Sequence, residues 1–241
     1  MTTHLVLGTG AVGAALANHL AEQGHTVRAV NRSGNRGALH PAIPLRQADL
    51  NDPGDAASAL AGADVVYQVT QPAYTRWGAE FPALQRTILA AAERADASVV
   101  LADNLYGYGS PRGATITDDS PREATTRKGR VRIAMAAIGT SEHGWGRAWI
   151  TPVMAPLTQA DLIARLWEAL GRRGTPKVSA VRGAAVRGLG IFMPMLRESV
   201  EMLYEFDEPF VVSSAECERT FGWAATSWDD AVAQLCGGVR V

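Results

Sequence analysis

Cysteine is nearly absent: Cys217 and Cys236 are the two thiols in 241 residues, and no Cys-x-x-Cys spacing joins them. That scarcity excludes a disulfide framework and a thiolate metal site, and it fits free thiols in a reducing compartment, with the cytoplasm as the expected location. No secretory leader is expected ahead of the first strand. Long apolar runs are missing too. Nothing approaches the roughly 20 consecutive apolar residues of a membrane span, so no membrane partner is expected. A dominant charge is likewise lacking: 23 Lys and Arg stand against 24 Asp and Glu, for a net charge of −1. An electrostatic footprint for nucleic acid or an anionic membrane surface is therefore not expected. His4, His19, His25, His40 and His143 lie far apart without ligand spacing, so no metal is expected.

What is present is a glycine turn, Gly8-Thr9-Gly10-Ala11-Val12-Gly13, directly after the apolar run Leu5-Val6-Leu7. Val12, Leu16 and Leu20 then recur at helical spacing, and a second apolar strand follows at 26–30. A dinucleotide-binding turn needs this context. The first glycine permits a tight turn, the second lets backbone approach a pyrophosphate, and the third lets helix pack on strand. The helix start, at Ala11 and Val12, offers N–H groups and a positive dipole end to the phosphates.

Strands are expected at 4–7, 26–30, 45–48, 64–69 and 98–102, with helices at 12–23, 56–60 and 77–95 between them. Val65-Val66 and Val99-Val100-Leu101 are the short apolar runs of strands covered on both faces. The alternation specifies an α/β, Rossmann-type doubly wound parallel sheet. Residues 103–125 are rich in Gly, Pro, Ser, Thr and Asp and form a long loop at the carboxyl end of the fifth strand, where open α/β sheets place their ligands. A helix is expected at 126–137 and a glycine-rich break at 139–146. The dinucleotide-binding domain thus spans 1–138 and a small α+β substrate region spans 139–241. In the latter, strands are expected at 147–151 and 177–181. Thr158-x-x-Asp161 resembles a capping box, and Pro194 interrupts a helical stretch at 187–206.

NAD-specific sites end the second strand with a carboxylate for the ribose 2′-hydroxyl. Here that end reads Val30-Asn31-Arg32-Ser33. A guanidinium pairs with a 2′-phosphate that a carboxylate repels, so NADP(H) is expected, with NAD(H) as the alternative.

The ordered set of segments resembles an extended short-chain dehydrogenase/reductase of the NAD-dependent epimerase/dehydratase group. It comprises the glycine turn, Ala48-Asp49-Leu50, Ala63-Asp64-Val65-Val66-Tyr67, Leu105-Tyr106-Gly107-Tyr108-Gly109 and Phe221-Gly222-Trp223. The resemblance implies that Asp49 and Leu50 meet the adenine and that Thr70, Gln71 and Pro72 pass beside the riboses. Tyr74, Arg76 and Tyr108 are expected toward a small-molecule substrate.

The chain departs from the family at its catalytic positions. Aligned on Tyr108-Gly109, the Ser/Thr position is Asn104, and the Tyr-x-x-x-Lys pair falls on Thr126 and Arg130. Threonine has no useful acidity near neutral pH, and arginine does not release a proton. Tyr106, Tyr108 and Lys128 are nearby substitutes, of which Tyr106 is the expected acid, with Asn104 and Arg130 for polarisation. The chain is also shorter than the resemblance implies, between residue 137 and Gly146-Arg147-Ala148-Trp149-Ile150. In the resemblance 148–150 stands outside the main sheet, whereas a βαβ reading would place it inside.

Three functions follow as expectations. The first is an NADP-dependent oxidoreductase acting on a small carbonyl or alcohol. The others are a non-redox isomerase, cyclase or dehydratase on the same fold, and a nucleotide-sensing regulatory protein. Extended members of the family pair through helices corresponding to 77–95 and 126–137, so a homodimer is expected.

Overall fold

Strand residues in this chain alternate between two apolar environments, and that alternation builds a sheet covered on both faces. A computed structural model describes residues 2–139, 148–181 and 183–237. The described residues divide into two compact units, one of 2–107 with 124–139, the other of 108–123 with 148–181 and 183–237. The second unit thus recruits the 108–123 stretch that the sequence reading assigned to the first domain.

The first unit runs β1 (Thr3–Leu7), α1 (Ala11–Glu22), β2 (Thr26–Asn31), β3 (Leu45–Gln47), α2 (Pro53–Leu60), β4 (Val65–Gln68), α3 (Trp77–Arg94), β5 (Ser98–Leu101) and α4 (Arg127–Gly139). All strands are parallel, in the order β3-β2-β1-β4-β5. Leu5, Leu7, Val30 and Val66 point to one core with Ala56 and Leu60 of α2 and Trp77, Phe81, Leu84 and Ile88 of α3. Val6, Val27 and Ala29 point to the other, with Ala17 of α1, Leu39 and Ile43. This is the period-two alternation of strand side chains, here burying both faces. Phe81, Leu84 and Ile88 of α3, one of the two helices through which a homodimer is expected, are buried within the protomer. The strand order reverses between β1 and β4, so the ligand crevice lies at their carboxyl ends.

Local signals set the helix boundaries. Asp52 caps α2 by accepting the N–H of Asp55 at 2.8 Å, and Pro53, which has no N–H to lose, takes the first position. The backbone N–H of Gly129 donates to Oγ1 of Thr126 at 3.1 Å at the start of α4.

The second unit is helical: α5 (Gln159–Ala169), α6 (Gly183–Leu189), α7 (Pro194–Ser199), α8 (Tyr204–Asp207), α9 (Ala215–Phe221) and α10 (Trp228–Gly237). Thr158 and Asp161 form the expected capping box of α5. Pro194 begins α7, where its missing N–H costs nothing. The expected strands do not form: 148–151 and 177–181 are irregular. Its β content is one isolated parallel bridge, Ile116 to Val212. Residues 148–150 stand outside the main sheet, as the resemblance implies; residues 140–147 lie outside the described residues. Among the described residues no helix is long and apolar enough to cross a membrane.

Two predictions follow from packing and charge. A Cβ on Gly129 would lie 2.2 Å from Cβ of Ala124 and 2.6 Å from the carbonyl oxygen of Tyr106, whereas one on Gly78 meets open space. Gly129→Ala is expected to cost about 1–3 kcal/mol through overpacking, and Gly78→Ala to gain about 0.5–1 kcal/mol. Urea midpoints of opposite sign relative to the parent check this pair. At the amino end of the sheet, Nδ1 of His4 is 3.0 Å from the Tyr67 hydroxyl, and the His25 ring lies 4.7 Å away. Burial, then the neighbouring His25, hold the His4 pKa below 6.5, with Asp64 opposing. The folded state therefore binds fewer protons here than the unfolded chain. The stabilisation is complete above the ordinary histidine value and is lost as the pH falls from there through the depressed folded value. His4→Gln should flatten that acid limb in denaturation midpoints measured from pH 7.5 to 5.

Candidate nucleotide-binding and active site

The glycine turn is a cradle that side chains would fill. Gly8 has φ +107°. A Cβ there would meet the Thr70 backbone at 3.1 Å, and a Cβ on Gly13 would sit 2.0 Å from the Gly8 carbonyl oxygen and 2.9 Å from Cγ2 of Val69. Gly10, by contrast, faces open space and precedes α1 with no side-chain cap. The first turn of α1, from Ala11 and Val12, carries no acidic residue. Its N–H groups have no partner within the helix, and the helix dipole adds positive potential, so the residues present fit a pyrophosphate.

Beside the cradle, Asn31 at the end of β2 ties the next loop to the turn. Its Nδ2 donates to Oγ1 of Thr9 at 2.5 Å and to the Asn35 carbonyl at 2.6 Å, while its Oδ1 accepts the Gly34 N–H at 2.6 Å. The Arg32 carbonyl accepts from Nε2 of Gln47 at 3.1 Å, and Oγ of Ser33 accepts the Asn35 N–H at 3.1 Å. The Arg32 side chain is exposed and makes no hydrogen bond or ion pair among the described residues. Oδ1 of Asp49 accepts from the backbone N–H of Asn51 at 3.0 Å and its Nδ2 at 2.8 Å. Those bonds, followed by the Arg32 charge, hold its carboxyl below the usual range. Leu50 lies in the core with its side chain buried.

At the ends of β4 and β5 the loops carry the remaining candidates. Thr70 is half-buried against Gly8. The Pro72 carbonyl accepts Nε1–H of Trp77 at 3.2 Å. Tyr74 meets Trp77 edge-on at 5.0 Å. Arg76 is a surface residue paired with Glu80 at 2.8 Å. Asn104 opens a tight turn: its N–H donates to Oδ1 of Asp103 at 2.8 Å, and its Oδ1 accepts the Tyr106 N–H at 3.2 Å. The Asn104 amide nitrogen and the Tyr106 hydroxyl make no hydrogen bond among the described residues. The Tyr106 ring packs 6.0 Å from Trp77. Tyr108 belongs to the other unit, its ring under the Arg122 guanidinium at 5.4 Å.

Helix α4 presents different residues from those expected. Thr126 caps it, and Arg130 is exposed with Nη1 donating to the Thr125 carbonyl at 2.5 Å. The inward cations are Lys128 and Arg132, the same four residues apart but shifted by two. Lys128 donates Nζ–H to the Tyr74 carbonyl and sits over the Tyr74 ring at 4.2 Å. Gly129 between them was the available signal, since glycine inside a helix marks close approach of a neighbour. Asp103, at the end of β5, was also missed. Among the described residues no three His, Cys, Asp or Glu side chains converge as metal ligands.

Residues 8–161 match the model of a family described as NAD(P)H-binding. The chain belongs to that NAD(P)H-binding family. Its fold is similar to several solved structures. The protein solved as gox2253 superposes with a TM-score of 0.74 at 15% identity, over 98% of this chain and 97% of that one. The Bordetella bronchiseptica enzyme WbmG, solved with NAD, gives 0.62 at 18% identity over 97% and 93%. A UDP-N-acetylglucosamine 4-epimerase from Bacillus cereus gives 0.63 at 12% identity over 99% and 100%. No curated protein matches the sequence.

Proposed function

We propose that the protein is an NADP(H)-dependent oxidoreductase acting on a small carbonyl or alcohol. The observation that carries this reading is the turn after β5, where, among the described residues, the Asn104 side-chain nitrogen and the Tyr106 hydroxyl two residues on make no hydrogen bond, at the carboxyl end of the sheet. A bound nicotinamide supplies the hydride when the substrate is a carbonyl. The chain's own residues then have two tasks. Nδ2–H of Asn104 donates to the substrate oxygen and polarises the carbonyl, and the Tyr106 hydroxyl delivers the proton that Thr126, engaged as a cap, does not. On the cofactor side, Arg32 takes a 2′-phosphate, with the Asn31-tethered loop holding it at the rim of the cradle.

A non-redox isomerase or dehydratase is the second reading. It is favoured by the absence of a phenol at either inward position of α4, Lys128 and Arg132. The site leaves room for that chemistry because Asn104 and Tyr106 polarise a carbonyl in either reaction.

Two measurements test the proposal. Arg32→Ala should weaken NADPH binding roughly ten- to a hundredfold, the equivalent of one charge-assisted contact of about 1.5–3 kcal/mol, and leave NADH binding nearly unchanged. Equal calorimetric affinity of the parent protein for NADPH and NADH would overturn the cofactor assignment. Tyr106→Phe should lower kcat about 10²–10⁴-fold with NADPH affinity intact. Unchanged turnover would remove Tyr106 as the acid, and no NADPH oxidation across a broad carbonyl panel would transfer the assignment to the non-redox reading.

A further inference from the structure

Arg132 is 3% exposed, yet it sits in a layer that an apolar residue would fill at lower cost. Its guanidinium lies 4.3 Å above the Trp77 ring and 4.7 Å above that of Phe81. Nη1 is 3.0 Å from Oδ1 of Asp103, and Nη2 donates to Oε1 of Gln71 at 3.4 Å. Nε and Nη1 are both buried without a hydrogen-bond partner, so the contact with Asp103 is an ion pair rather than a hydrogen bond. Desolvating a guanidinium is expensive, and an incompletely satisfied one returns less of that cost, so net stability is a poor explanation for this residue. Burial pushes its pKa below the ordinary value, with the negative charge of Asp103 and then Tyr106 opposing the shift.

The contacts of Asp103 point to another role. The Oδ1 atom that faces Arg132 is the one that accepts the Asn104 N–H, and Oδ1 of Asn104 accepts the Tyr106 N–H. Guanidinium, carboxylate, asparagine and tyrosine backbone form one continuous line from α4 to the turn. Gly129 makes the approach possible, since any side chain there would strike the Tyr106 carbonyl. Lys128 does the equivalent on the β4 side by holding the Tyr74 carbonyl.

We propose that Arg132 is a positioning residue that acts through Asp103 to fix residues 103–106, so that the Asn104 amide and the Tyr106 hydroxyl address one substrate oxygen together. This rests on the assignment of those two groups in the preceding section. It moves the function of the inward face of α4 from proton transfer to holding the loop that performs it.

The test compares Arg132→Met, Arg132→Lys and Asp103→Asn with the parent by amide hydrogen exchange, NADPH calorimetry and turnover on the best carbonyl of the panel. Methionine keeps contact with Trp77 and Phe81, and Asp103, whose side chain is 23% exposed, remains hydrated when its partner is removed. Arg132→Met should raise exchange at the Asn104 and Tyr106 amides about tenfold or more while the strands keep parental protection. NADPH affinity should stay within about twofold, and kcat should fall about 10–100-fold with a much smaller change in KM. Arg132→Lys, which keeps the charge without the planar fork, should restore part of the protection, and Asp103→Asn should lie between parent and Arg132→Met. Parental exchange at 104 and 106 in Arg132→Met would overturn the proposal. So would exchange rising equally through α3 and the sheet, which would assign Arg132 to general stability. If the parent reduces no carbonyl, the oxidoreductase reading fails, while the exchange result still decides the role of Arg132.

Discussion

Helix α1 lies so close to the end of β1 that a Cβ at position 13 would stand 2.0 Å from the carbonyl oxygen of Gly8. That contact sets the geometry of the nucleotide end of the first unit. With α1 drawn in, its first turn faces the crevice between β1 and β4, and Gly8, at φ +107°, carries the chain across the Thr70 backbone without a clash. The same approach brings Thr9 to Asn31, and Asn31 arranges the loop bearing Arg32. The candidate pyrophosphate cradle and the loop proposed to meet the ribose are therefore parts of one packing arrangement.

Much of this was legible in the sequence, for physical reasons. The central strands β1 and β4 are short, largely apolar and flanked by helix-forming segments, and all five strands were found within a residue or two at each end. The glycine turn could be read because each glycine serves a separate steric need. The α5 cap was readable because its two side chains bond to backbone within a single turn. The second unit was less legible. Residues 148–151 and 177–181 have strand-like composition, but a strand needs an edge to pair with, and β propensity reports fit to a sheet rather than a backbone preference.

The phase of α4 was the instructive miss. Alignment on Tyr108-Gly109 put Thr126 and Arg130 at the catalytic positions, with Lys128 only as a nearby substitute. Lys128 and Arg132 are inside because aromatic faces of Tyr74, Trp77 and Phe81 receive them, the Tyr74 carbonyl accepts from Lys128, and Asp103 pairs with the Arg132 charge. Those partners come from α3, from the approach to it and from the end of β5, far away in sequence. No local period records them. Gly129 alone carried a local trace, through the clash that any side chain there would make.

The proposed acid, Tyr106, stands on a loop rather than on a helix, which changes what the rest of the site must do. A side chain on a helix is aimed by the hydrogen-bond ladder beneath it, whereas one on a loop is aimed by whatever anchors the loop. Here the 3₁₀ turn Leu105–Tyr108 is too short to hold itself rigid; bonds of 2.8 and 3.2 Å link Asp103, Asn104 and Tyr106 at its start, and the Ala124 N–H donates to the Gly107 carbonyl at 3.2 Å. Placement has to come from outside the turn, and the Arg132–Asp103 pair is the one ion pair among the described residues that reaches it. A neutral hydrogen bond would serve less well, because a charge-assisted contact is stronger and remains strong in a desolvated setting. On the proposed roles, the buried charge on α4 and the tyrosine on the loop are two halves of one arrangement: the cation without the loop would be a buried cost, and the loop without the cation would lose one of its anchors.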